Sequence, residues 1–168
     1  PARAGEFAAL HSALTTNETY FMRENGQLKA FVAHAAARLS VSSYPGSRRL
    51  RIWSAGCSSG EEAYSLALLL TEAGIRPLDF EIIGSDISDK VLAKARSATY
   101  TVHSFRFLDP GFRDKYFSPA PGDQWTLREP WRGLVAFNAV NLYRDPRLAL
   151  FGQFDAIFCR NVLIYFDN

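Results

Sequence analysis

The sequence predicts an α/β fold, a parallel sheet with flanking helices, and three stretches carry that prediction. Residues 50–55 form a short apolar run with Ile52 and Trp53 that enters a loop of Gly, Ser and Cys, then an amphipathic stretch. Residues 80–85 form a second run, Phe80-Glu81-Ile82-Ile83-Gly84-Ser85, which ends in Asp86 ahead of another helical stretch. Asp155-Ala156-Ile157-Phe158-Cys159 supplies a third. Strands that alternate with helices favour a parallel sheet, and such sheets bind ligands just beyond the carboxyl ends of their strands.

Taken in order, residues 7–14 read as a short helix. Residues 16–24 form a polar-aromatic turn that leads into an Ala-rich helix over 28–39. Tyr44-Pro45-Gly46-Ser47 has the chemistry of a turn, with Pro fixing φ and Gly free to adopt positive φ. Strand one is 50–55, and the helix after it, 62–73, stops at Gly74. Strand two is 80–85, followed by a helix over 89–97. Residues 100–131 hold several Pro and Gly and read as an irregular excursion with one short helix near 110–117. Strand three is 135–138 and strand four 155–159; no internal repeat or low-complexity segment interrupts them.

Composition narrows the class. A chain of 168 residues is enough for one domain with a real core. An apolar content of 48% and an aromatic content of 14% argue against disorder. A net charge of only +2 gives no footprint for nucleic acid. No apolar run approaches the length of a membrane span, and no basic-then-apolar stretch opens the sequence. A cytoplasmic protein without membrane insertion is therefore expected. Cys57 and Cys159 do not make a disulfide framework, which fits a reducing compartment. His11, His34 and His103 are scattered and no His/Cys group has metal spacing, so no metal is expected.

The loop after strand one says most about function. Its small residues, Ser54 to Gly60, let a ligand approach the backbone closely. It lacks both the G-x-G-x-x-G of dinucleotide sites and the Lys of a phosphate-binding loop. It ends instead in Glu61 and Glu62, which would repel phosphate. The favoured ligand carries positive charge or hydroxyl donors. Asp86 stands where an acid at the end of the second strand clamps ribose hydroxyls, about 20 residues past the glycine loop in the usual pattern. A helix cap or a solvated turn residue is its structural alternative. Glycine loop, acid pair and Asp86 together point to an adenosine-containing ligand with a cationic end, and S-adenosylmethionine fits.

Five segments carry a family resemblance. They are Leu14-Thr15-Thr16-Asn17-Glu18-Thr19-Tyr20-Phe21-Met22-Arg23-Glu24, the loop from Trp53 to Glu62, Ser85-Asp86-Ile87, Val140-Asn141-Leu142, and the closing run from Phe154 to Phe166. In this order, across nearly the whole chain, the sequence resembles the chemotaxis receptor glutamate methyltransferases, the CheR family. The closing run is the most specific single match. The resemblance implies a Rossmann-like, S-adenosylmethionine-dependent methyltransferase fold. It also implies methyl transfer to glutamate side chains on the cytoplasmic helices of chemoreceptors, leaving S-adenosylhomocysteine. It places cofactor contacts on Asn17, Thr19 and Arg23, on Glu62, on Asp86 at the ribose, on Asn141 and Leu142 at the adenine edge, and on Arg160 and Asn161. Arg23 and Tyr165 match the family's proposed catalytic-pocket residues: a planar guanidinium fork for the acceptor carboxylate, and a phenol near the sulfonium or the acceptor. A surface salt bridge and a strand-end aromatic are their structural alternatives. Met22, Ala63 and Glu18 depart from the residues usual in the pattern, and none removes a polar contact.

The resemblance also sets an expected organisation. Residues 1–46 form an N-terminal helical segment with part of the cofactor pocket, and 47–168 form the first half of the methyltransferase α/β domain. Three later strands are expected to be missing, with most of the small helical domain ahead of Thr16-Asn17 and the late insertion that some members use to dock a receptor tail. Strand four, with Ala156, Ile157, Phe158 and the apolar residues from Val162 to Phe166, would then be an exposed edge through which copies associate. Two other functions stay open: a non-catalytic module that binds S-adenosylmethionine or S-adenosylhomocysteine, and a methyltransferase for a different acceptor.

Overall fold

The computed structural model describes residues 18–41 and 49–162. The helix expected over 7–14, the turn at 44–47, and the site residues Asn17 and Tyr165 lie outside the described residues. Helix α1 (Asn25–Val41) begins three residues before the predicted start, straight out of the turn at 21–24. Its buried Leu28, Val32 and Ala35 recur at helical spacing, so one face packs on α2. Strand β1 (Leu50–Ala55) leads through the glycine loop into α2 (Glu61–Glu72), then β2 (Phe80–Asp86) and α3 (Asp89–Ser97). Gly74 ends the α2 segment at φ 77°, and the Ile75 N–H reaches back to the Leu70 carbonyl at 3.0 Å.

The excursion expected over 100–131 is in fact a second sheet. Strands β3 (Thr99–Thr101), β4 (Phe117–Ala120) and β5 (Gln124–Leu127) pair antiparallel in the order β3-β5-β4, with α4 (Pro110–Tyr116) before β4. Strands of three or four residues are too short to show a period, and β3 meets its partner only through the pair Thr99↔Thr126 and its neighbours. A local signal was present: Gly122 and Asp123, both at positive φ, turn β4 into β5.

Strands β6 (Val135–Ala139) and β7 (Ala156–Phe158) complete a four-stranded parallel sheet of order β6-β2-β1-β7. β1 and β2 are aligned from Leu50↔Phe80 to Ala55↔Ser85, and β7 lies on the far side of β1 through Ile52↔Ala156 to Ser54↔Phe158. From β1 the chain adds β2 and then β6 on one side and returns to add β7 on the other, which makes the β1/β7 boundary the topological switch point. Among the described residues, β7 pairs with β1 alone, and Ile157 is 56% exposed. Ile52, Leu66, Leu68, Leu70 and Ile82 fill the space between sheet and helices, each burial worth roughly 1.5–3 kcal/mol.

Candidate functional site

The glycine loop is pinned to the neighbouring strand by its own backbone. The N–H groups of Gly56 and Cys57 both donate to the Ser85 carbonyl, each at 2.8 Å, and the Gly60 N–H donates to the Cys57 carbonyl at 2.9 Å. Gly56 has φ 73°, and a Cβ there would lie 2.3 Å from Val162 Cγ2. Gly60, at φ 91°, would bring a Cβ to 3.0 Å from both Ala95 and Phe137. Only glycine serves at these two places. The loop thereby sits close under the segment that leaves β7.

Asp86 ends β2 beside that loop. One carboxylate oxygen accepts the Ser58 N–H at 2.9 Å and the other accepts the Ser88 N–H at 3.0 Å. Asp86 is thus partly the turn residue of its structural alternative, yet each oxygen keeps a second lone pair for a hydroxyl donor. The Val140 N–H donates to the Asp86 carbonyl at 2.9 Å, which brings Asn141 and Leu142 to the same end of the sheet. Asn141 is exposed and its Oδ1 accepts the Tyr143 N–H at 2.9 Å, while Leu142 is half-buried.

The two glutamates at the loop's end part company. Glu61 turns into the protein, 1% exposed, whereas Glu62, the one of the two that the resemblance placed at the cofactor, pairs with Arg160. Successive helix positions lie about 100° apart, so adjacent side chains cannot share a face. The Glu62 carboxylate accepts the Ser54 hydroxyl at 2.7 Å and pairs with Arg160 Nη1 at 3.0 Å. Burial pushes the Glu62 carboxyl above its ordinary value, against the opposing pull of the Ser54 hydroxyl and the Arg160 charge. Arg160 spans the gap between β7 and the N-terminal turn. It pairs with Glu24 at 3.1 Å and donates to the Arg23 carbonyl at 2.7 Å. Arg23 itself is half-buried, its Nη1 donating to the Glu18 carbonyl at 2.5 Å, and Thr19 lies half-buried in the same turn. Asn161 is exposed at φ 57°. Ser54 and Glu24 were not singled out by sequence reasoning, because each gains its role from a partner distant in the chain.

Burial pushes both thiols, Cys57 and Cys159, above their ordinary values, with the nearby carboxylates adding to the effect. A raised value disfavours the thiolate at both. Among the described residues no group of His, Cys, Asp and Glu has the arrangement of a metal site. No helix among them is long and apolar enough to cross a membrane.

This arrangement can be set against known proteins. Residues 17–168 match the family described as "CheR methyltransferase, SAM binding domain". The chain belongs to the CheR methyltransferase family. The chain is 41% identical over 165 residues to chemotaxis protein methyltransferase 2 of Vibrio cholerae, covering 97% of the chain and 57% of that relative. It is 39% identical over 169 residues to the chemotaxis protein methyltransferase of Salmonella typhimurium, covering 98% of the chain and 56% of the relative. It is also 42% identical over 165 residues to a probable biofilm formation methyltransferase of Pseudomonas putida, covering 98% of the chain and 38% of that protein. The chain thus spans little more than half the length of the chemotaxis methyltransferases it matches.

The cofactor of this CheR domain is S-adenosylmethionine, and the crevice suits it. Asp86 offers free acceptor capacity for hydroxyls, and Glu62 offers a carboxylate for a cation. Among the described residues, three buried side-chain polar atoms have no partner: Ser58 Oγ, Asn25 Oδ1 and Arg160 Nε. All three belong to segments that converge at this end of the sheet. Orphaned polar atoms are costly in a dry interior, and a polar ligand beside them relieves that cost.

Proposed function

We propose that this chain forms the cofactor-binding part of a cytoplasmic protein-glutamate O-methyltransferase that acts on the cytoplasmic helices of chemoreceptors. One observation carries the reading most: Glu62, Arg160, Asp86 and the Arg23 turn converge on the switch point of a parallel sheet, beside its glycine loop. The names of the relatives from Vibrio and Salmonella support the chemotaxis assignment. Asp86 holds the ribose, Asn141 and Leu142 meet the adenine edge, and Glu62 faces the cationic end. Thr19, Arg23, Arg160 and Asn161 line the remainder, with Asn17 and Tyr165 contributing from outside the described residues.

S-adenosylmethionine supplies a methyl group already activated on a sulfonium. An ionised glutamate needs no base to remove a proton, so the residues here act chiefly by holding the two partners in line, worth up to roughly 7–11 kcal/mol. Arg23 orients the acceptor carboxylate with its planar fork, and Tyr165 donates a hydrogen bond near the reacting centre. In the intact protein, Arg23→Ala and Tyr165→Phe should lower methyl transfer to receptor by roughly a hundredfold or more while cofactor affinity falls by no more than about tenfold, the mark of contacts made on the way to reaction. Wild-type rates in both variants would return these residues to structural roles. A different acceptor is the second reading, favoured by the biofilm methyltransferase of Pseudomonas putida among the relatives. A protein that binds S-adenosylmethionine but leaves every chemoreceptor unmethylated would favour it.

A further inference from the structure

We infer that Glu61, the acid that turns away from the crevice, is a positioning residue for the Arg23 turn. The inference rests on the proposed reading that this turn contacts the cofactor. Glu61 is 1% exposed, and burying a carboxylate without a purpose is unfavourable. Its partners among the described residues are hydroxyls. One carboxylate oxygen accepts the Ser59 hydroxyl of the glycine loop at 2.8 Å, and the other accepts the Ser104 hydroxyl at 2.9 Å. The Glu61 backbone carbonyl accepts the Ser65 hydroxyl at 2.6 Å.

These serines hold the turn. Ser65 Oγ accepts the Met22 N–H at 3.0 Å, and the Ser104 carbonyl accepts the Phe21 N–H at 2.9 Å. Two consecutive backbone donors of the turn therefore hang from residues bonded to Glu61, Ser104 through its carboxylate and Ser65 through its backbone carbonyl, and the side chain governs the Ser104 tie. The turn needs such ties, because Met22 at φ 61° and Glu24 at φ 51° adopt a backbone that side chains disfavour. Arg23 lies between them, so its direction depends on that geometry being kept. Placed in the first turn of α2, the Glu61 charge is also favoured by the helix dipole. One side chain thus ties the glycine loop and the Arg23 turn to a common helix end.

The test is a double-mutant cycle on S-adenosylhomocysteine affinity, measured calorimetrically in the intact protein that carries this chain. Glu61→Ala should weaken binding about tenfold, as should Arg23→Ala, the size expected for lost charged hydrogen bonds. With Arg23 already removed, Glu61→Ala should cost no more than about twofold, because its effect runs through that turn. Glu61→Gln should recover affinity to within about threefold of wild type, since an amide can donate to one serine and accept from the other. Ser104→Ala leaves the carboxylate in place and serves where Glu61→Ala does not fold; it too should be non-additive with Arg23→Ala. Full additivity, or unchanged affinity in Glu61→Ala and Ser104→Ala, overturns the inference while leaving the cofactor reading intact. Unchanged affinity in Arg23→Ala removes the turn from the cofactor site, and the inference falls with it.

Discussion

Behind the glycine loop, β1 and β2 are packed by aliphatic side chains such as Ile52, Leu66 and Ile82, whereas the Arg23 turn rests on aromatic rings. Phe21 stacks on Phe105 with centroids 5.2 Å apart and meets Tyr100 and Phe117 edge-on at 4.9 and 5.1 Å. The two supports differ in kind. The loop's place is set by an in-register backbone ladder from Leu50↔Phe80 to Ala55↔Ser85, distributed over many bonds. The turn's place is set by two hydrogen bonds, to Ser65 and Ser104, and by a few large rings: Tyr100 and Phe117 on an antiparallel sheet whose strands are only three or four residues long, and Phe105 just after β3. Aromatic pairs add about 0.5–1.5 kcal/mol each beyond their burial, so much depends on each ring. One side of the crevice is robust to single changes and the other is not.

The largest expected effect breaks the fragile side. Phe21→Ala should destabilise the fold by about 3–5 kcal/mol, against about 0.5–1.5 kcal/mol for Ile82→Val in the aliphatic core. Thermal melts read that difference. Cofactor titration below both transitions should show weakened binding for the first and unchanged binding for the second. Equal loss of affinity in both would mean that the two supports do not act separately.

Next in size is the contact proposed for β2. Asp86→Ala should cost roughly 1.5–3 kcal/mol of cofactor binding, the range for hydrogen bonds to a charged group. Since Asp86 also accepts the Ser58 and Ser88 N–H groups, some loss of stability should accompany it. Calorimetry that finds affinity unchanged would leave Asp86 with its turn role alone.

The smallest effect is a pH dependence. Burial raises the Glu62 carboxyl, so the folded protein holds this proton more tightly than the unfolded chain. Glu62 therefore favours the folded state most below its unfolded value, and that contribution is lost as pH rises through the folded one. A cationic ligand prefers the ionised form, so cofactor affinity should rise across the same window, by at most about 1.4 kcal/mol per pH unit for one proton. Glu62→Gln should flatten the profile. A slope that survives in that variant belongs to another group.

Much of this was legible in the chain. The periodicity of 50–55, 80–85 and 89–97 needed only local information, and α3 runs from Asp89 to Ser97 as the pattern predicts. The motif residues, too, announced themselves by type and order, though their contact with the cofactor rests on the proposed reading. The antiparallel sheet was missed because its strands are too short to show a period and β3 finds its partner some 25 residues away; only the β4–β5 turn at Gly122 and Asp123 carried a local signal.

The sequence by itself determined the α/β alternation, the glycine positions at Gly56 and Gly60, and the residue types gathered at the strand ends. These follow from local sterics and hydrophobic spacing, which act within a few residues. Tertiary structure alone decided the partners of the two adjacent glutamates. Glu62 finds Ser54 and Arg160, while Glu61 finds Ser59 and Ser104. Identical side chains in neighbouring positions receive different work because helical rotation points them about 100° apart, toward surroundings that only the folded chain assembles.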